Sequence, residues 1–319
     1  MSSHAVNPAA AATTGPPGRA ERPVWEEEPT RISRVGKPVV LAIVFLIIAF
    51  PLYVVVVTSL SSTEAVTRAG GLVVVPRDLT VAAYVQLLSG GVVTRALVIS
   101  TAITAVGTAF SLLITMLAAY GLSRPGSLWH RPLLFVVLLT FLFGPGIIPS
   151  YLLVNSLGLI DSYGSLILPT AISAFNLIVM RAFFMGIPNE LIDSARIDGA
   201  GEFAVLTRIV MPLSKAVVAV VGLFYAVGYW NAFFNAMLYL NDNTKWPLQL
   251  VLRTYIVQQQ ALPSGAGGVT ASPGLGLTPA PSLAIKMAIV VLAVVPVLLV
   301  YPFIQKHFTK GVIVGAVKG

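Results

Sequence analysis

Six long apolar runs, at roughly 38–58, 96–122, 132–154, 164–184, 213–239 and 284–304, constrain this 319-residue chain more than any other feature. A helix needs about 20 consecutive, mostly apolar residues to cross the ~30 Å hydrocarbon core of a bilayer. Inside that core only a helix or a closed barrel satisfies its own backbone polar groups. The runs are too long for strands, so the expected fold is all-α: a polytopic membrane protein with six transmembrane helices. Charged residues make up only 10% of the chain, too few to cover a soluble domain of this length. The third run is interrupted by Gly144, Pro145, Gly146 and Pro149 and is expected to be bent or broken. Pro51, Pro169 and Pro296 punctuate other runs, as tolerated kinks or as hinges.

Residues 1–36 are rich in Ala, Pro, Ser and charge and are expected to form a disordered cytoplasmic tail. They do not resemble a cleaved signal peptide, because the first apolar run starts late, is too long and lacks a small-residue cleavage site. The remainder, 37–319, holds all six runs. Lys and Arg give the orientation. Arg31, Arg34 and Lys37, Arg124 and Arg131, Arg181, Arg196, Arg208 and Lys215, and Lys306 and Lys310 all fall on the side of the N-terminus. The other side holds Arg68, Arg77, Arg95, Lys245, Arg253 and Lys286. Both termini are therefore expected in the cytoplasm. In the loop after the first run, Thr80 is suited to cap a short helix with Val81, Tyr84, Val85 and Leu88 on one face. The Gly/Pro-rich segment 263–281 is expected to be mobile.

Several function classes lose ground at once. The chain has no cysteine, which excludes disulfides and thiolate chemistry, and its three histidines all lie outside the apolar runs. The net charge of +8 follows the ends of the runs, which argues for membrane topology and against nucleic acid. No Asp or Glu lies inside any run, whereas an ion-coupled transporter usually carries an intramembrane carboxylate. A membrane enzyme such as a glycosyltransferase would need an acidic cluster at the membrane edge, and the only candidates lie between the fourth and fifth runs. There is no phosphate-binding loop of the G-x-x-x-x-G-K-[ST] type. Uphill transport by this chain would need energy from a partner.

The segment between the fourth and fifth runs, 186–212, is patterned as a helix-turn-helix. Pro188 suits a first turn, with Glu190 and Asp193 near the positive end of the helix. Leu191, Ile192 and Ala195 form one face and Glu190, Asp193 and Arg196 the other. Gly199 is suited to a left-handed stop. A second short helix places Phe203, Leu206, Ile209 and Val210 together and is expected to end at Pro212. Periodicity alone also allows a helix lying on lipid headgroups, with Arg196 and Arg208 snorkelling.

The same segment resembles the signature loop of permease subunits from binding-protein-dependent ABC importers. That family's pattern is Glu-Ala-Ala, three residues, Gly, then a spaced Ile and Pro. It stands here as Asp193-Ser194-Ala195, Gly199, Ile209 and Pro212, and Asp198-Gly199-Ala200 matches the sugar-permease form. Asp193, Ser194 and Ala216 depart from it. The resemblance spans about 70–319. Phe143 to Leu159, Asp161-Ser162, Tyr229 to Asn235 and Lys310 to Gly319 look like the maltose-permease-like branch, most like permeases for complex oligosaccharides and pectin fragments.

The resemblance implies the transmembrane domain of a type I ABC importer: a permease subunit of an ATP-driven carbohydrate importer in a bacterial cell membrane, forming half of the translocation path. Its loop would be the coupling helix, seated in a groove of a cytoplasmic ATPase. The implied coupling residues are Glu190, Asp193, Ser194, Ala195, Arg196, Asp198, Gly199, Ala200, Phe203, Ile209 and Pro212. The implied partners are a second homologous permease, a dimer of ATP-binding subunits and an extracytoplasmic solute-binding lipoprotein. The chain itself would be no enzyme and bind no cofactor, with ATP and Mg²⁺ on the ATPase.

A sugar path needs hydrogen-bonding groups and aromatic faces in an apolar bundle. The candidates are Asn176, Tyr225, Tyr229, Asn231 and Asn235, with Ser173 and Asn155 as lesser ones. The bland alternative places Tyr229 and Trp230 in an interfacial belt and the Asn side chains in interhelical bonds.

Overall fold

A computed structural model describes residues 31–89, 91–124, 129–257 and 282–316. The chain divides into two units, 1–51 and 52–319. In the first, α1 (Arg31–Ser59) begins within the segment expected to be tail; residues 1–30 lie outside the described residues. Its apolar side chains point outward, with Leu41, Phe45 and Ile47 each more than 60% exposed. Such a surface would be a liability in water and is ordinary in lipid.

The second unit is built of helices α2 (Thr63–Arg68), α3 (Ala82–Leu88), α4 (Val92–Ser123), α5 (His130–Leu142), α6 (Ile147–Ser156), α7 (Gly164–Ile167), α8 (Ala174–Met185), α9 (Asn189–Ile197), α10 (Glu202–Val205), α11 (Met211–Leu213), α12 (Lys215–Trp230), α13 (Phe233–Tyr239), α14 (Leu248–Val257) and α15 (Leu283–Ala316). Long apolar helices account for three candidate crossings and bent pairs for three more. The anticipated break in the third run is real: α5 and α6 meet at 119°, with Gly146 at φ 79°. The fourth run also breaks, by 51° between α7 and α8, where Pro169 sits in a short 3-10 turn.

The core is the pairing of α4 with α12. Down one face of α4 run Gly107, Ser111, Thr115 and Ala119, four residues apart and buried. Down the facing side of α12 run Val217, Val221, Tyr225 and Tyr229 at the same interval. Rows spaced by four mesh as ridges into grooves. Small residues on α4 leave room for the tyrosine rings of α12, and a Cβ on Gly107 would stand 2.9 Å from the Tyr229 ring. The rings end in hydrogen bonds, Tyr229 with Ser111 and Tyr225 with Thr115, both 2.7 Å between hydroxyls. α8 and α15 pack on this pair. Trp230 donates its indole N–H to the Ala293 carbonyl of α15 at 2.9 Å, so it anchors α12 to α15.

Three expectations need correction. The fifth run is not one helix to 239: α12 stops at Trp230, and α13 restarts at Phe233 after Asn231 donates its N–H to the Val227 carbonyl. The short helix α3 has Val81, not Thr80, at its N-cap, with no side-chain cap bond; Val81, Val85 and Leu88 share a face as expected, and that face is exposed while Ala83 and Leu87 are buried. Thr80, one position before the cap, accepts the Ala82 N–H at 3.2 Å, and the Tyr84 hydroxyl bonds Ser59 at 2.6 Å. Third, Pro212 does not end the second loop helix; it opens α11, and the chain turns at Ser214. The segment 263–281 lies outside the described residues.

Candidate functional site

Three features stand out along the α4–α12 core: a loop at one end, a cavity beside α12 and a clasp at the other end. The loop opens with α9, which begins just after Pro188. It stops in a Schellman arrangement. The Ala200 N–H reaches the Ala195 carbonyl at 2.9 Å, the Gly199 N–H reaches Arg196 at 3.0 Å, and Gly199 sits at φ 84° as its position in the pattern requires. α10 follows and widens at Leu206–Val210 into a π-helical turn. The whole second arm, 202–213, meets α12 at 86°.

Burial divides the loop by face. Ile192, Val205, Leu206 and Val210 are buried in the same cluster as Ala119 and Tyr120 of α4. Glu190, Asp193, Ser194, Arg196, Asp198, Gly199 and Pro212 are exposed, and Ala195, Ala200 and Ile209 are half-buried. Phe203 was grouped with Leu206 and Val210 from its spacing, yet it is 73% exposed. The π turn spoils the simple helical count that made it a neighbour of Val210. Leu191 and Ile197 are exposed as well, Ile197 by 86%. The outward face is thus apolar knobs set among carboxylates.

Arg196 turns back toward its own chain. Its guanidinium donates to Glu202 at 2.6 and 3.1 Å and lies 3.6 Å from Asp193. The second carboxylate oxygen of Glu202 accepts the Tyr120 hydroxyl at 2.5 Å. Arg124 completes the group, 4.0 Å from Glu202 and 4.2 Å above the Tyr120 ring. Sequence reasoning missed Glu202, Tyr120 and Arg124 as a set. Tyr120 and Glu202 are 82 residues apart in sequence, and no local pattern joins Glu202 to the end of α4.

Beside α12 lies a cavity of about 370 Å³, lined by Leu166, Thr170, Ser173, Phe175, Asn176, Phe224, Tyr225, Gly228, Tyr229, Ala232 and Asn235. Of the candidate path residues it gathers Asn176, Tyr225, Tyr229 and Asn235, and Ser173 of the lesser ones. Asn231 is not among them: its amide donates to the Val227 carbonyl at 2.9 Å and accepts from Gln249 at 3.4 Å. Asn155 is exposed on α6, outside the cavity. The tyrosine hydroxyls are already engaged, Tyr225 also accepting the Ser173 N–H at 3.0 Å, so the two residues offer ring faces more than free hydroxyls. Phe175 and Phe224, 6.1 Å apart, add aromatic surface that periodicity gave no reason to single out. Among the described residues, no cationic side chain lines this cavity.

At the far end Asp161 joins the segment before α7 to the segment after α13. Its carboxylate accepts the backbone N–H groups of Asn241 at 2.7 Å and Asp242 at 2.9 Å, while Lys245 donates to its carbonyl at 2.8 Å. Asp161 itself takes φ 60°, a left-handed conformation that Asp tolerates better than most residues. The Asp242 N–H, then that of Asn241 and the charge of Lys245, hold its carboxyl below the usual carboxylate range. Asp242 is likewise lowered, first by the Thr244 hydroxyl.

Known proteins share both sequence and fold with this arrangement. The family described as binding-protein-dependent transport system inner membrane component matches residues 111–314. The polygalacturonan/rhamnogalacturonan transport system permease protein YtcP of Bacillus subtilis is 45% identical over 86% of this chain and 94% of its own length. A chain from the crystal structure of a bacterial ABC transporter that imports the acidic polysaccharide alginate superposes with a TM-score of 0.79 at 32% identity, covering 89% of this chain and 99% of that one. A chain from a bacterial alginate ABC transporter in complex with a pentasaccharide-bound periplasmic protein shares the fold, at 16% identity and a TM-score of 0.51, over 86% of this chain and 93% of that one.

Proposed function

The chain belongs to the binding-protein-dependent transport inner-membrane components, and from that premise we propose that it is one permease subunit of an ATP-driven oligosaccharide importer. It supplies half of the path and hydrolyses nothing itself. A second homologous permease completes the path, a dimer of cytoplasmic ATPase subunits holds ATP and Mg²⁺, and an extracytoplasmic binding protein delivers the sugar. Both termini lie on the ATPase side.

The observation that carries this proposal is the outward face of the loop. Leu191, Ile197 and Phe203 stand exposed around the Gly199 corner, while Ile192, Val205, Leu206 and Val210 fasten the loop to the bundle. Apolar knobs among Glu190, Asp193 and Asp198 suit a groove with an apolar floor and a basic rim. A loop resting on lipid would need cations at its rim, since bilayer surfaces are anionic. Arg196, the cation nearest the Gly199 corner, is held by Glu202, which leaves exposed Arg208 on the second arm as the other cation of segment 186–212. The cavity beside α12, with its amides and aromatic rings, is the segment of the sugar path that this subunit contributes.

The test is recovery of the ATPase subunit by affinity-tagged permease from membranes of the native host. Wild type should bring down the ATPase and a second permease. A binding screen of the cognate binding protein with oligogalacturonides and with neutral oligosaccharides would name the cargo. Sugar transport by the purified chain alone, in liposomes without ATP, would sink the proposal.

A further inference from the structure

We propose that Glu202 is the positioning residue through which the loop moves the end of α4, its carboxylate holding Arg196 of the first arm and Tyr120 of α4 at once; this rests on the loop being the ATPase contact. Both carboxylate oxygens are used. One takes two guanidinium N–H groups from Arg196 and the other takes the Tyr120 hydroxyl. Bonds of this charge-assisted kind are short, directional and stronger than neutral ones. The apolar seat formed by Ile192, Val205, Leu206 and Val210 has no such direction. It can hold the loop on the bundle while letting it slide; the carboxylate fixes where it sits.

The position of the pair matters as much as its chemistry. Arg196 is followed by Ile197 and Glu202 by Phe203, the two most exposed large apolar side chains of the loop. A partner pressing on those two side chains loads both ends of the Arg196–Glu202 pair. The load has a defined exit. Tyr120 lies in the last turn of α4, and in the same turn the Leu122 carbonyl accepts the Arg181 Nε–H of α8 at 2.8 Å. Loop and α8 therefore end on one turn of one helix. Arg124, whose side chain is only 14% exposed, keeps positive charge against the carboxylate on the α4 side.

The absence of cysteine makes the test direct. Spin labels at Gly121→Cys, where an added Cβ meets nothing within 4 Å, and at exposed Arg208→Cys report the separation of α4 from the second arm. The assembled importer is used, with and without ATP and vanadate. With Glu202 intact the separation should be narrowly distributed in both states. Glu202→Ala should broaden it about twofold and lower oligogalacturonide uptake per ATP hydrolysed about tenfold, the size expected for a lost charge-assisted bond, with ATPase recovery unchanged. Glu202→Gln, which keeps one acceptor oxygen for Arg196 and turns the other position into an amide donor toward the Tyr120 hydroxyl, should recover only part of the narrow distribution. Tyr120→Phe, which removes only the α4 bond and is the variant to use if Glu202→Ala is not inserted, should broaden it to an intermediate degree. An unchanged distribution in Glu202→Ala and Tyr120→Phe would overturn the proposal. So would a loss of ATPase recovery in step with uptake, because Glu202 would then be a docking residue. Failure of the wild type to recover any ATPase would instead remove the coupling reading beneath it.

Discussion

Two carboxylates tie separate segments together at opposite ends of the bundle, and they do it differently. Asp161 is gripped by backbone: two consecutive N–H groups on its carboxylate and a lysine on its carbonyl. Glu202 is gripped by side chains alone at its carboxylate, those of Arg196, Tyr120 and Arg124. A backbone clamp has one geometry, because the peptide groups it fills cannot turn away without unfolding the segment. A side-chain hub can release one partner and keep another. The difference suggests a division of labour, with the Asp161 end set in shape and the Glu202 end able to change partners under load.

The variant most damaging to the Glu202 end should be Gly199→Val. There is open space around Gly199, so the penalty is conformational: a β-branched residue at φ 84° costs of order 1–2 kcal/mol and redirects the second arm. Insertion into the membrane should persist while ATP-driven uptake and ATPase recovery are lost, measured at matched membrane levels. Equal recovery with normal uptake would mean that the corner is not a contact.

Next in size, Arg196→Glu places like charges within the hub and should cut uptake about tenfold. Pairing it with Glu202→Arg should restore part of that, since the Arg–Glu contact re-forms while the Tyr120 bond does not. No recovery in the double variant would show that the order of the charges, not their pairing, is what matters.

Between the two ends, Tyr225→Phe tests whether the core simply holds them apart. It deletes bonds to Thr115 and to the Ser173 N–H, an expected cost of about 1 kcal/mol. The melting temperature in detergent should fall by a few degrees, with the ring still lining the cavity and uptake reduced less than in Arg196→Glu.

The smallest effects belong to Asp161. Asp161→Asn keeps an acceptor and tolerates the left-handed backbone, so it should be near neutral. Asp161→Ala should speed hydrogen exchange at Asn241 and Asp242 without altering ATPase recovery. Because the folded state lowers this carboxyl, its contribution is complete above the unfolded value near pH 4, and it fades as pH falls through the folded one. Exchange at Asn241 and Asp242 should therefore quicken only as the pH falls below about 4. A transition near neutral pH would contradict the assignment.

How far the sequence alone reaches differs between the same two ends. The crossings were legible because length and apolarity are local properties, and the break at Gly144–Gly146 was written in the residues themselves. Gly199 was legible for the same reason, since a Schellman stop depends on its immediate neighbours. The break after Trp230 was not: Asn231 and Ala232 carry no strong signal, and the run stays apolar through Phe233 and Phe234. Asn231 therefore looked like a member of the path when it caps a helix. The face of Phe203 was misjudged because the count assumed α-helical turns. Asp161, quoted only as part of a resemblance, and Glu202 could not be found by pattern, because their partners are decided by which helices pack side by side.

The π turn at Leu206–Val210 has a consequence for what kinds of change this loop can absorb. An extra residue in one turn advances everything before it by about 100° around the helix axis relative to everything after it. The directions in which Glu202 and Phe203 point are therefore set by a residue count between them and Ser214, and only secondarily by what they touch. Surface loops usually gain and lose residues freely. This one behaves as an indexed shaft: its side chains can be exchanged within limits, but its length is part of its address.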